Sequence, residues 1–157
     1  MGAWACVGLL VLAISGCAQL PVVGAVGVSP VPPPQARVWV YRDVESSVSP
    51  RVPLVRLNSA IAGAAYQGGA FYRDVSPGPY HVTVDSIGVD INQSSDVNLA
   101  AGQEAYIKIV QLDNWNETPF EPTFPTFYAW LVRPDIGRYE VSRHSDYGGG
   151  ALTAAAR

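Results

Sequence analysis

Residues 71–84 read FYRDVSPGPYHVTV, and this stretch is the strongest strand–turn–strand signal in the chain. Residues 71–75 and 80–84 are rich in β-branched and aromatic residues, which favour strands. They are separated by residues 76–79, in which a proline presets φ and a glycine accepts positive φ, as a type II turn requires. The stretch therefore predicts a β-hairpin.

Strand signals continue on both sides of this stretch. In residues 36–41, Val38 and Val40 share one face while Trp39 and Tyr41 share the other, so we expect one face in the core and the other under a loop or a partner. Seven or eight short strands, with no helical pattern longer than two turns, predict an all-β fold, an antiparallel β-sandwich. The further segments are residues 52–57, 61–66, 97–99, 104–111, 126–132 and 138–143, with a turn at residues 133–137.

The N-terminal apolar run ends in Ile14-Ser15-Gly16-Cys17, which resembles the bacterial lipobox. The resemblance implies cleavage between Gly16 and Cys17, a diacylglyceryl group on the Cys17 thiol, and acylation of the new amine. The first charged side chain is Arg37, so the uncharged run also leaves open an uncleaved membrane anchor or an ordinary secretory signal. In such lipoproteins an Asp directly after the cysteine resembles a signal for retention in the inner membrane. The residue here is Ala18, so the resemblance implies the outer membrane of the cell envelope.

These signals divide the chain into four parts. Residues 1–16 form a signal peptide helix, residues 17–35 the lipidated cysteine and a Pro-rich tether, residues 36–143 the sandwich domain, and residues 144–157 a flexible tail. Prolines favour an extended polyproline conformation in the tether. An alternative is that residues 22–28 add an edge strand to the domain.

Charge and cysteine content exclude several functions. The chain has 10 basic and 13 acidic side chains and a net charge of −3, which gives no electrostatic reason to bind nucleic acid. Its two cysteines are Cys6, within the signal, and Cys17, so the sequence predicts no disulfide and no thiolate metal site. We also expect no cofactor.

No catalytic or metal site is predicted. The two histidines are His81 and His144. His81 and Asp85 share a strand face but lie about 13 Å apart along it, which is too far for a catalytic pair. His144-Ser145-Asp146 lacks a second ligand pair with zinc-like spacing. A hydrolase is therefore the weakest of three functional hypotheses.

Residues 112–125, LDNWNETPFEPTFP, suggest a binding site. Trp115, Phe120 and Phe124 alternate with prolines, and such rings anchor protein partners or stack on sugars. They are our candidate partner-binding residues. The alternative is that these rings fold back and cap an open end of the sandwich.

Four segments in order, ARVWVYR, VRLNSAIAG, GGAFYRDVSPGPYHV and LAAGQEAYIKI, carry a family resemblance. They resemble the small bacterial lipoproteins grouped as domain of unknown function 2846, which are similar to PEGA and carboxypeptidase-regulatory-like sandwiches. The resemblance covers about residues 36–141 and implies a fold and an envelope location, but no catalytic residues. Ser59 departs from the usual glycine after Asn, which speaks against a two-residue type I′ turn there.

Two functional hypotheses follow. The first is a non-enzymatic interaction or structural module, held at the membrane by the lipid on Cys17 and docking on an envelope protein. The alternative is a glycan-binding lipoprotein that recognises peptidoglycan or surface polysaccharide through Trp115 and neighbouring rings.

Overall fold

The computed structural model describes residues 28–45, 50–113 and 125–146. These residues form an all-β sandwich, which confirms the expected fold class. They contain nine strands and one helix: β1 Ala36–Arg42, β2 Leu54–Leu57, β3 Ala60–Ala64, β4 Gly69–Val75, β5 Gly78–Val84, β6 Ser95–Leu99, β7 Glu104–Asp113, β8 Pro125–Val132, α1 Pro134–Val141 and β9 Ser145–Asp146.

The strands form two sheets. One has the order β8-β7-β1-β4-β9 and the other β3-β2-β5-β6. The first sheet is mixed, because β1 is parallel to β7 and β4 is parallel to β9. The expectation of a fully antiparallel sandwich is wrong for this sheet. A parallel pair needs a long crossover, and here the chain passes through the whole second sheet between β1 and β7.

The segment expected to form a hairpin connects the two sheets instead. Strand β4 pairs with β1, whereas β5 pairs with β2 and β6, so the chain changes sheets at residues 76–77. Gly78 has a φ of +145°, a conformation that L side chains rarely adopt. The predicted strands and bend exist, but the predicted hairpin is wrong. The sequence pattern of a bend with flanking strands is the same whether the two strands pair with each other or join different sheets.

A two-residue turn does connect β2 to β3, contrary to the expectation from Ser59. Asn58 and Ser59 have φ values of +47° and +71°, and Leu57 lies opposite Ala60. The side chain of Asn58 accepts a hydrogen bond from the His81 amide at 2.8 Å and donates to the carbonyl oxygen of residue 79 at 3.1 Å. Strand β5 therefore holds the turn and compensates for the unfavourable φ of Ser59.

The inner faces of both sheets supply the core. Alternate residues of β1 point inward and pack against residues from the opposite sheet, as the period of two in a strand requires. The buried apolar set includes Val38, Val40, Val55, Leu57, Val82, Leu99, Ile107, Ile109 and Phe127.

Helix α1 covers the outer face of the five-stranded sheet, where Trp39, Tyr41 and Tyr106 form a second buried cluster. The strand expected over residues 138–143 is therefore wrong. Pro134 starts the helix, where its missing N–H costs nothing. The backbone of Gly137 lies so close to Tyr106 that an added Cβ would be 2.3 Å from the Tyr106 Cβ atom.

A buried ion pair lies on the same outer face. The Arg37 guanidinium, 1% exposed, contacts both carboxylate oxygens of Asp74, with N–O distances of 2.6 and 3.0 Å. It stacks on the Tyr72 ring at 3.9 Å and donates to the Ser29 carbonyl oxygen at 2.7 Å. Burial opposes the charge of Arg37, but the hydrogen bond and charge of Asp74 outweigh it and raise the pKa of Arg37.

The described part of the expected tether turns back on the domain. The Gln35 amide donates to the Pro32 carbonyl oxygen, and the Gln35 carbonyl oxygen accepts from Gly102, both at 2.7 Å. Extended polyproline is therefore wrong for residues 32–35. The possible strand at residues 22–28 lies, except for Val28, outside the described residues.

The sandwich has two ends that differ in their connections. We use "N-terminal end" for the end at which β1 begins, and "far end" for the end at which β7 finishes. Strands β1 and β7 run parallel, and the ten residues of β7 span about 33 Å between these ends. Asp113 pairs with Pro125, so the expected binding segment, residues 112–125, leaves and rejoins the sandwich at the far end, and its residues 114–124 lie outside the described part of the chain.

Candidate functional site

The site residues expected from the sequence lie outside the described part of the chain. This holds for Gly16 and Cys17 of the lipobox and for Trp115, Phe120 and Phe124 of the candidate binding segment. Among the described residues, no helix is long and apolar enough to cross a membrane.

Within residues 28–45, 50–113 and 125–146, the most exposed apolar loop at the far end is the one between β5 and β6, residues 85–94. Three of its aliphatic side chains face solvent: Ile87 is 42% exposed, Val89 91% and Ile91 77%. Such side chains are seldom clustered on the surface of a soluble domain without a binding role. We expected no site in this loop, although its apolar residues alternate with other residues outside any predicted strand, which is a visible sequence signal.

Gln93 fixes this loop to the edge of strand β8. Its side-chain amide donates to the carbonyl oxygens of Phe127 at 3.1 Å and Gly88 at 3.0 Å. Its main-chain carbonyl oxygen accepts a hydrogen bond from the Ala129 amide at 3.0 Å. Its side-chain oxygen also accepts from the Asp90 amide at 2.8 Å, so one glutamine satisfies two backbone groups of β8 and two within the loop.

Two serines complete this contact. Ser86 Oγ accepts from the Phe127 amide at 2.9 Å. Ser95 Oγ donates to the Ala129 carbonyl oxygen at 2.7 Å and accepts from the Leu131 amide at 3.1 Å. An exposed edge strand invites pairing with other chains, and these bonds occupy the edge of β8. The same bonds hold the loop in one position.

The carboxylate at the tip of the loop points toward the protein. Asp90 accepts hydrogen bonds from the Tyr128 hydroxyl at 2.6 Å and from the Ile91 amide at 2.7 Å. The Tyr128 bond, followed by the Ile91 bond, lowers the pKa of Asp90. The neighbouring side chains of Val89 and Ile91 are exposed to solvent. The tip of the loop therefore presents aliphatic groups, while the Asp90 carboxylate between them is bonded to Tyr128.

The candidate binding segment begins and ends beside this loop. Asp113 and Pro125, at its two ends, pair with each other. Ser86 Oγ donates to the Pro125 carbonyl oxygen at 3.3 Å. The far end therefore carries both the aliphatic loop and the attachment points of the aromatic segment predicted to bind a partner.

His81 lies on β5 of the four-stranded sheet, whereas His144 lies between α1 and β9 of the five-stranded sheet. The His81 ring is 2.7 Å from Asp96 on the neighbouring strand, and Asp85 instead pairs with Arg56 at 2.9 Å. His144 contacts Asp43 at 3.0 Å. Within the described ranges, no group of three or more His, Cys, Asp and Glu side chains is arranged to hold a metal ion.

A polar network at the end of α1 was not anticipated from the sequence. Lys108 contacts Asp43 at 2.6 Å and Glu140 at 3.3 Å, and the Tyr41 hydroxyl donates to Glu140 at 2.6 Å. Burial opposes both charges of the Asp43–Lys108 pair, but their contacts outweigh it, lowering the pKa of Asp43 and raising that of Lys108. Burial and the bond to Glu140 raise the pKa of Tyr41. These residues are far apart in sequence, so no local sequence motif indicates the network.

Comparisons with known proteins assign no family to the chain. No protein-family model matches it, and no curated protein matches it significantly. The resemblance to the lipoproteins of domain of unknown function 2846 stays a prediction from the sequence segments that carry it.

Proposed function

We propose that this protein is a lipid-anchored lipoprotein of the cell envelope, most consistent with the outer membrane, and that its sandwich is a non-enzymatic interaction module. Cys17 carries the lipid after cleavage behind Gly16, and the far end of the sandwich binds a partner in the envelope. The lipobox in the sequence supports the anchor. The arrangement of the far end supports the binding role.

The observation that carries the binding role is the fixed loop at residues 85–94. Its exposed side chains, Ile87, Val89 and Ile91, would contribute roughly 3–6 kcal/mol if a partner buried them fully. Hydrogen bonds from Gln93 and Ser95 to β8 order the loop before binding. A preordered loop loses little conformational entropy on docking, so more of this gain is retained as affinity.

The position of the loop fits an anchored protein. The N-terminal segment joins the sandwich at Ala36, beside the start of β7, whereas the loop bonds to Pro125 and Phe127, which pair with the last residues of β7. A lipid on Cys17 would therefore hold one end near the bilayer and leave the other available to a second protein.

Site-specific photocrosslinking in intact cells tests the binding role. A photoreactive residue at Val89 is expected to yield a discrete crosslinked species. The same photoreactive residue at position 96 is the matched control, because the side chain of Asp96 is 83% exposed on the outer face of the four-stranded sheet. Recovery of free monomer alone from the Val89 variant, or equal crosslinking from both positions, would contradict the proposal.

The anchor is tested separately by mass spectrometry of the protein from its own membranes. We expect a mature N-terminus at acylated Cys17, and an intact N-terminal segment would contradict lipidation. This result does not depend on whether the far end binds a partner.

The glycan-binding alternative rests on Trp115, which lies outside the described residues. Sedimentation with purified cell wall tests it. A Trp115→Ala variant that pellets as well as the original protein would exclude this ring as the binding site.

A further inference from the structure

His144 is almost fully buried, and both of its ring nitrogens face oxygen acceptors. Nδ1 lies 2.7 Å from the main-chain carbonyl oxygen of Glu140, and Nε2 lies 3.0 Å from a carboxylate oxygen of Asp43. The side chain is 7% exposed. A neutral imidazole has one N–H and can donate to only one of these oxygens, whereas the imidazolium donates to both.

The surrounding charges also favour the imidazolium. Tyr41 of β1 lies edge-on to the ring at 5.4 Å, and Asp43 follows this strand. Lys108 of β7 contacts Asp43 and also the carboxylate of Glu140 on α1. Tyr41 is a neutral donor to Glu140. With a neutral His144, two carboxylates face the single positive charge of Lys108. With a charged His144, the network contains two anions and two cations.

His144 lies between helix α1 and strand β9. The two residues of β9 pair in parallel with Gly69 and Ala70 of β4. The ring of His144, which comes just before β9, contacts Asp43 just beyond β1. Residues 145–146, expected in the flexible tail, therefore form an edge strand of the five-stranded sheet.

We propose that His144 is a proton-dependent switch, whose imidazolium holds the segment after α1 on the sheet and whose deprotonation releases β9 from β4. The neutral ring keeps one of its two hydrogen bonds and turns a lone pair toward the other oxygen. Histidine is the side chain that ordinarily changes charge between about pH 5 and 8. This inference is independent of the proposed lipid anchor and binding role.

Amide hydrogen exchange on the full-length protein tests the switch. Protection factors of the β9 amides, corrected for intrinsic exchange, are expected to fall by about tenfold or more between about pH 5 and pH 8, as when a hydrogen bond to a charged group is lost. His144→Gln should give low protection at both values. His81→Gln is the matched control, because His81 has one carboxylate partner and is half exposed, and it should behave like the original protein.

Constant protection in the original protein, or an unchanged pH dependence in His144→Gln, would overturn the proposal. If His144→Gln does not fold, ring ¹⁵N spectra of the unsubstituted protein give the decision. We expect both nitrogens of His144 to carry protons wherever β9 is protected. A neutral ring combined with a protected β9 would exclude the switch.

Discussion

Replacing Gly137 with alanine tests the packing of α1 directly. On an exposed helix, this change stabilises by about 1 kcal/mol, because alanine has the higher helix propensity. In this protein the added Cβ would lie 2.3 Å from Tyr106 Cβ and 2.4 Å from Cγ. Those atoms are close to the main chain of β7 and cannot swing away as a flexible side-chain end would.

The magnitude follows from the separation that carbon atoms require. Relief of the contact needs the helix to move by about 1 Å, because carbon atoms pack at about 3.5–4.0 Å. That shift would weaken the 2.6 Å hydrogen bond between Tyr41 and Glu140. Overpacking costs about 1–3 kcal/mol, and the gain in propensity offsets part of it. We expect a net loss of about 1–2 kcal/mol in the free energy of unfolding.

Urea unfolding followed by tryptophan fluorescence measures this loss, and an unchanged slope would show that stability itself has changed. Tyr139→Ala is the matched control on the same helix, because Tyr139 is 64% exposed. It should change stability by less than about 0.5 kcal/mol. If Gly137→Ala stabilises the protein as on an exposed helix, α1 does not pack on Tyr106 and the reasoning is refuted.

Three further predictions concern other parts of the sandwich. Asp74→Ala leaves the buried Arg37 charge without its bidentate partner and should lower the free energy of unfolding by about 3–5 kcal/mol in urea titration; a loss below 1 kcal/mol would contradict this. Ser59→Gly removes the strain of a φ of +71° and should raise stability by about 0.5–1 kcal/mol in thermal unfolding, whereas a decrease would mean that the turn is not strained. Burial raises the pKa of Asp43, but the contacts with Lys108 and His144 outweigh it and lower that pKa below the ordinary 3.8, so these contacts stabilise the fold fully above 3.8 and lose their contribution as the pH falls below 3.8 through the lowered pKa. In acid titrations of stability, Asp43→Asn should flatten the curve, and an identical curve would contradict the assignment.

Much of the strand content was predictable because strand signals are local. The alternation of Tyr80, Val82 and Val84 with polar residues places one face of β5 toward the core, whichever sheet β5 joins. Sheet membership was not predictable in the same way. The bend at Pro77 and Gly78 serves equally well within one sheet or between two, and only the pairing of β4 with β1 decides between them.

Helix α1 shows a second limit of local reasoning. Pro134 and Gly137 are turn signals in isolation, and they predicted a loop followed by a strand. In the fold, Pro134 starts a helix, and Gly137 provides the close approach to Tyr106. The glycine is explained by a residue about thirty positions earlier in the chain.

Some candidate site residues could be predicted from the sequence, and others could not. The lipobox with Cys17 and the aromatic residue Trp115 are visible in the sequence, and they remain predictions. The loop tip at Val89 and the His144 network became visible only in three dimensions, since their contacts come from strands that are remote in sequence.

The sequence by itself determined that this chain forms strands, that their alternating faces build a two-layer core, and that residues 18–157 contain no cysteine. These properties depend on neighbouring residues, whose spacing decides which face is apolar. The tertiary structure alone decided that β1 and β7 are parallel, that a helix covers the outer face of the five-stranded sheet, and that Gln93 bonds to Phe127 and His144 contacts Asp43. Such features depend on groups that meet only when distant parts of the chain have folded together.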